Sequence, residues 1–109
     1  MNAGLFAALA DPTRLAVIGM LRKEPRRAGD LAAELDMTPA AMSRHLRILR
    51  RGGFVAEEGL EHDARVRLYH LLPKPFEEMR GWLEEVEQFW GAQLTSFQKH
   101  IARRKRREQ

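Results

Sequence analysis

Between Thr38 and Gly53 the chain carries four arginines, at 44, 47, 50 and 51, and no acidic residue. A guanidinium presents five N–H donors in a planar fork, which suits phosphate oxygens and the edge of guanine. On a helical wheel Ala40, Arg44, Arg47 and Arg51 fall together, with Ser43 and Arg50 flanking, while Met42, His45, Leu46 and Leu49 fall opposite. A helix that only packs on a neighbour normally mixes both signs of charge on its wet face. This face is positive throughout. The small residues Thr38, Ala40, Ala41 and Ser43 let the start of the helix approach base edges, and alanine can touch a thymine methyl. Arg44 is placed for a bidentate contact with guanine, and Arg47, Arg50 and Arg51 for phosphates. The plain alternative is a solvated face on an ordinary helix.

Other chemistry finds little support. Hydrolytic or redox catalysis needs a nucleophile beside a base, a metal site or a phosphate-cradling glycine loop, and none of these patterns is present. Gly52-Gly53 reads as a helix stop. There is no cysteine, so disulfides and thiolate ligands are excluded. The four histidines include no pair at the i, i+3 or i+4 spacing that a helical metal site favours. No enzyme, metal or cofactor is expected.

The 109 residues, 44% hydrophobic and 31% charged, suit a single globular domain, small enough that a second copy would add usefully to its buried area. The longest apolar stretch, Leu15 to Leu21, is too short to cross a bilayer, and no secretory signal is visible, so a cytoplasmic location is the default expectation. The net charge of +4 is unevenly spread. Residues 1–75 hold 12 basic and 9 acidic side chains, residues 76–102 hold 2 and 5, and residues 103–109 hold 5 and 1. The run Arg103 to Arg107 is therefore the main source of the high isoelectric point; such a run is usually solvated or neutralises a helix C-terminus, with phosphate contact the minority reading.

These residues need elements to position them. Asn2 can cap a first short helix bearing Leu5, Phe6 and Leu9. Asp11-Pro12 pairs a capping side chain with proline at the first helical position and predicts a second helix, with an apolar stripe at Leu15, Ile18, Met20 and Leu21, up to Glu24-Pro25. Residues 28–35 form a short third helix with Leu31 and Leu35 four apart. Asp36-Met37 is a tight connection into Thr38-Pro39, again a cap followed by proline, and a fourth helix runs to about Arg51. Two short helices about a tight turn make a helix-turn-helix over about 28–52. Phe54 to Glu58 and Arg65 to Leu71 show strand character around a charged loop, Gly59 to Ala64, which predicts a hairpin, the wing of a winged helix, over about 54–72. Arg65 and Arg67 on it are candidates for phosphate or minor-groove contact, or plain strand-surface charges.

The runs "LADPTRLAVIGML", "GDLAAELDMTPAAMSRHLRILRRGGFV" and "ARVRLYHL" resemble, in order and across nearly the whole chain, the arsenical-repressor (ArsR/SmtB) family of winged-helix transcriptional repressors. The element Ser43-x-His45-Leu46-x-x-Leu49-x-x-x-Gly53 carries the likeness most specifically. The resemblance implies a dimeric repressor on an operator near its own promoter, with the helix from Thr38 to Arg51 on DNA and Ser43, Arg44 and His45 in contact. For His45 the wheel offers an alternative at the edge of the buried face, capping a neighbouring carbonyl. Many members sense metals through a cysteine pair before "Asp-Leu" in the third helix; Arg27 and Gly29 stand there in this sequence. Others use His and carboxylates on the last helix, which here offers only His100. His62 and His70 flank the wing separately, and Glu84, Glu85 and Glu87 read as a solvated face. The likeness is to the metal-free branch. The alternatives are a metal-responsive repressor with an unrecognised His/carboxylate site, and an adaptor that binds proteins through its last helix without specific DNA binding.

That last helix spans about 76–104. Apolar residues recur at Phe76, Met79, Leu83, Val86, Trp90, Leu94, Phe97 and Ile101, with Trp82 and Phe89 widening the stripe. The winged helix has apolar residues enough for its own core. The surplus predicts a twofold dimer through Met79, Leu83, Val86, Trp90, Leu94 and Phe97, joined by Leu5, Phe6 and Leu9, as the resemblance also implies. The expected fold is mainly α with a small β-hairpin: one winged helix-turn-helix domain over 1–109, its terminal helices forming the interface, its partners double-stranded DNA and its own copy.

Overall fold

Two aspartate- or threonine-capped, proline-started helices set the frame. The structure, a computed structural model, describes residues 3–108; Asn2, expected as the first cap, lies outside them. The helices are α1 (Ala3–Leu9), α2 (Pro12–Leu21), α3 (Ala28–Glu34) and α4 (Pro39–Arg51), followed by strands β1 (Val55–Leu60) and β2 (Asp63–Leu71) and a long α5 (Lys74–Glu108). The chain divides into two compact units, residues 1–77 and 78–109. The first is a helix-turn-helix with an antiparallel hairpin. The second is the remainder of α5.

Asp11 caps α2 by accepting from the N–H groups of Thr13 at 2.8 Å and Arg14 at 3.1 Å. Its carboxyl is held below the ordinary range, chiefly by the Arg14 N–H. Thr38 Oγ1 accepts from the Ala41 N–H at 3.1 Å, with Pro39 in the first turn of α4. Thr38→Ala is expected to lower unfolding free energy by about 1 kcal/mol in urea melts, and Thr38→Ser to restore most of it.

Both helices of the helix-turn-helix end in the same way. At α3, Met37 N–H donates to Ala32 and Asp36 N–H to Ala33; at α4, Phe54 N–H donates to Leu49 and Gly53 N–H to Arg50. Each is a Schellman cap, which needs one left-handed residue: Asp36 at φ 51° and Gly53 at φ 75°. The first makes the turn between α3 and α4, and the second sends the chain into β1.

The core is built from Val17 and Leu21 of α2, Leu31 of α3, Met42, Leu46 and Leu49 of α4, and Phe54 and Val55. One expectation on α2 fails. Leu15 is 54% exposed while Val17 is fully buried; the two lie roughly 160° apart on the helix, so the buried stripe is rotated away from Leu15.

The hairpin is longer than its residue types suggest. Val55 pairs with Leu71, Glu57 with Tyr69 and Gly59 with Arg67, and after a register shift at Gly59/Leu60 pairing resumes at Leu60 and Asp63. The expected loop from Gly59 to Ala64 therefore shrinks to Glu61 and His62, because the irregularity lets the strands pair on to their ends. Arg26, between α2 and α3, adds a bridge to the free edge of β2, exchanging backbone hydrogen bonds with Tyr69 at 3.1 and 2.8 Å. Pro75, expected before the last helix, sits inside its first turn, where a missing N–H does no harm.

Candidate nucleic-acid interface

The fold turns the two sides of α4 to different surroundings. Met42, Leu46 and Leu49 are buried, while Ala40, Ser43, Arg44, Arg47, Arg50 and Arg51 are exposed. Thr38 is exposed with its hydroxyl committed to the cap, and Ala41 is half-buried. Ser43, Arg47, Arg50 and Arg51 share an open cleft with Tyr69 of β2.

His45 faces elsewhere. Its side chain is largely covered, and Nδ1 lies 3.3 Å from Nη1 of Arg14 and 3.9 Å from Oδ1 of Asp11. Arg14 also donates through Nε to the Ala8 carbonyl and through Nη2 to that of Ala7 at 3.4 Å. This guanidinium, rather than His45, caps the end of α1, and it links α1 to the middle of α4.

The wing arginines are held by carboxylates. Arg65 Nε donates to Asp63 at 3.1 Å near the hairpin tip, and this bond is the main reason the Asp63 carboxyl lies below its usual range. Arg67 Nε donates to Oε1 of Glu57 at 2.8 Å. Oε2 of Glu57 accepts from Arg50 Nη1 at 3.3 Å and from the Tyr69 hydroxyl at 2.9 Å. The Glu57 carboxyl is held low, first by the Arg67 hydrogen bond and next by that from Tyr69. Burial, followed by the bond to Glu57, pushes the Tyr69 phenol up. Helix α4 and the hairpin thus meet at one acid. Residue types alone did not single out Glu57, Tyr69 or Arg14; the signal that could have found the first two is the cross-strand pairing of 57 with 69, which depends on the length of the turn.

Of the residues expected at a subunit interface, Leu5 is buried within the first unit, Phe6 and Leu9 are half-buried, and so are Met79 and Val86 of α5. Leu83, Trp90, Leu94 and Phe97 are all more than half exposed. Among the described residues, no group of three or more His, Asp or Glu side chains could hold a metal ion, and no single helix is long and apolar enough to cross a membrane.

Residues 9–58 match the model of a helix-turn-helix domain family. Over 92 residues, 84% of this chain and 80% of the relative, the sequence is 31% identical to the HTH-type transcriptional regulator Rv2034 of Mycobacterium tuberculosis. A shorter stretch of 48 residues, 44% of this chain and 36% of the relative, is 44% identical to a transcriptional repressor SmtB homolog of Synechocystis sp.. The fold is similar to the crystal structure of an ArsR family transcriptional regulator at a TM-score of 0.71, with 34% identity, covering 81% of this chain and 88% of that one.

Proposed function

The chain belongs to the ArsR/SmtB family of DNA-binding transcriptional regulators, and on that premise we propose that it represses transcription as a homodimer seated on an inverted-repeat operator, with α4 in the major groove. The observation that carries this is the exposed face of α4: four arginines and a serine, opposite buried Met42, Leu46 and Leu49, with no acid on the helix. Arg44, nearest the helix start, reads a base edge, and Ser43 and the small residues before it allow the approach. Arg47, Arg50 and Arg51 contact phosphates. Thr38, Ala40 and Ala41 shape the entry; Arg65 and Arg67 reach the backbone or minor groove beside the wing. His45 acts indirectly, keeping α4 in register against Arg14 and Asp11.

Dimerisation uses α5. Leu83, Trp90, Leu94 and Phe97 make a run of large apolar side chains that a lone soluble chain rarely leaves in water. Two α4 helices held about 34–36 Å apart by such a pairing can read half-sites one DNA turn apart, a second contact that a lone domain lacks.

Selection of bound duplexes from a random pool tests the reading, an inverted repeat being the expected product. On the selected duplex Arg44→Ala should cost about 1–3 kcal/mol and relax preference at one base pair, whereas Arg47→Ala should weaken all duplexes alike and lower the salt slope by about one. Identical behaviour of the two variants on every sequence would refute these roles. Recovery of no common sequence would favour the adaptor alternative.

A further inference from the structure

The candidate DNA surface carries a counter-charge of its own. Glu57, its side chain 20% exposed, joins Arg50 of the recognition helix to Arg67 of the wing. Each guanidinium gives it one N–H, which leaves most of a five-donor fork for another ligand. Both arginines remain about half exposed, at 56% and 49%. Gly59, paired with Arg67 across the hairpin, leaves room for the fork to lie against the backbone, since a Cβ there would stand 3.0 Å from Arg67 Nη1. The Tyr69 hydroxyl completes the shell of Oε2 at 2.9 Å.

We propose that Glu57 is a positioning residue that sets DNA discrimination: it holds Arg50 and Arg67 in the one arrangement that the phosphates of a correctly seated duplex complete, and withholds their charge from DNA in any other register. This rests on the assignment of α4 and the wing to DNA.

Two effects of opposite sign meet at this carboxylate. Non-specific affinity follows the number of cations able to displace condensed counterions, so an acid bound to two arginines lowers it. Operator affinity depends also on side chains already ordered in the bound geometry, and Glu57 supplies that order without consuming the forks. Removing the charge therefore raises non-specific binding with nothing to oppose it. On the operator the same gain is offset by lost order. Ion pairs this exposed are weak enough for a phosphate to take their place. The carboxyl, held below the usual glutamate range chiefly by Arg67, stays ionised at neutral pH and keeps the restraint in force.

Glu58 supplies the control. It follows Glu57 on β1, so its side chain stands on the opposite face of the hairpin, where it is well exposed beside His70. The full chain carrying Glu57→Gln, Glu58→Gln or Tyr69→Phe is titrated with the selected operator and with a scrambled duplex of equal length, by fluorescence anisotropy across a series of KCl concentrations. Glu57→Gln should bind the scrambled duplex about tenfold more tightly, with a salt slope steeper by about one to two, while its operator affinity stays within about threefold of wild type. Glu58→Gln should change both affinities by one common factor. Tyr69→Phe, which leaves the charge in place, should lower discrimination in the same direction by a smaller factor. Equal effects of Glu57→Gln and Glu58→Gln on both duplexes would overturn the proposal. So would a Glu57→Gln protein that merely loses active fraction, weakening both duplexes alike with the salt slope unchanged. Wild-type protein that does not distinguish the duplexes would refute the DNA assignment itself, and the proposal with it.

Discussion

Leu94→Glu is expected to give a folded monomer that binds the operator about a thousandfold more weakly than wild type, at the low end of the gap between specific and non-specific binding in this class of protein. Leu94 is 56% exposed in the isolated chain, in the middle of α5. At such a position the change from leucine to glutamate leaves the stability of a monomer within about 0.5 kcal/mol. In a twofold interface the same carboxylate is introduced twice into an apolar face, where burying a charge is costly. Trp90, its ring edge-on to Phe89 with centroids 6.1 Å apart, belongs to the same patch, and Trp90→Glu should act in the same way. Gln88→Glu, an equal change of charge on the opposite side of the same helix, should leave the dimer intact. Sedimentation equilibrium at micromolar concentration and anisotropy on the operator measure the two halves of the result. Full operator affinity in a monomeric Leu94→Glu protein, or a monomeric wild type, would refute the dimer.

Local chemistry made some of this architecture readable and hid the rest. Helices α2 and α4 begin where a capping side chain precedes proline, and α4 ends at Gly52-Gly53, because caps and left-handed residues act through neighbours in sequence. The phase of α4 was legible because Met42, Leu46 and Leu49 recur on one side and the arginines on the other, with Ile48, 40% exposed, the exception. In α2 nearly every residue is apolar, so nothing in the pattern distinguishes Leu15, which is exposed, from Val17, which is buried. Gly59 and Asp63 carry turn chemistry, yet a shift in register absorbs the first and pairing to Leu60 captures the second. The Glu57 junction was out of reach for a different reason. It gathers residues 50, 57, 67 and 69 from three elements, and an acid in a strand has no periodicity that announces its partners. The candidate base-reading face is a property of one helix; its link to the wing is a property of the fold.

Phe54→Ala should cost about 3–5 kcal/mol of unfolding free energy, a large share of the roughly 5–15 kcal/mol that holds a domain together. The ring is fully buried and meets Phe76, at the start of α5, edge-to-face, with centroids 5.3 Å apart. Its backbone closes the cap of α4 through the N–H to Leu49, and its carbonyl accepts from Leu72 at the end of β2. The end of α4, the end of the hairpin and the first turn of α5 therefore converge on one residue. Gly52 leaves no room to spare, since a Cβ there would stand 2.9 Å from two ring carbons of Phe54. A ring so enclosed cannot swing aside, and truncation leaves a void in a close-packed core. Phe54→Leu retains most of the volume and should cost less than half as much. In urea melts the Phe54→Ala midpoint should fall well below that of Phe54→Leu with the slope unchanged. A Phe54→Ala loss under about 1 kcal/mol would show that the three elements hold their places without the ring. The functional consequence follows from what the ring fixes. Arg50 leaves α4 one turn before Phe54 and Arg67 approaches from β2, so at temperatures where the variant is still folded a loosened junction should separate the two arginines from Glu57, weakening operator binding more than binding to a scrambled duplex.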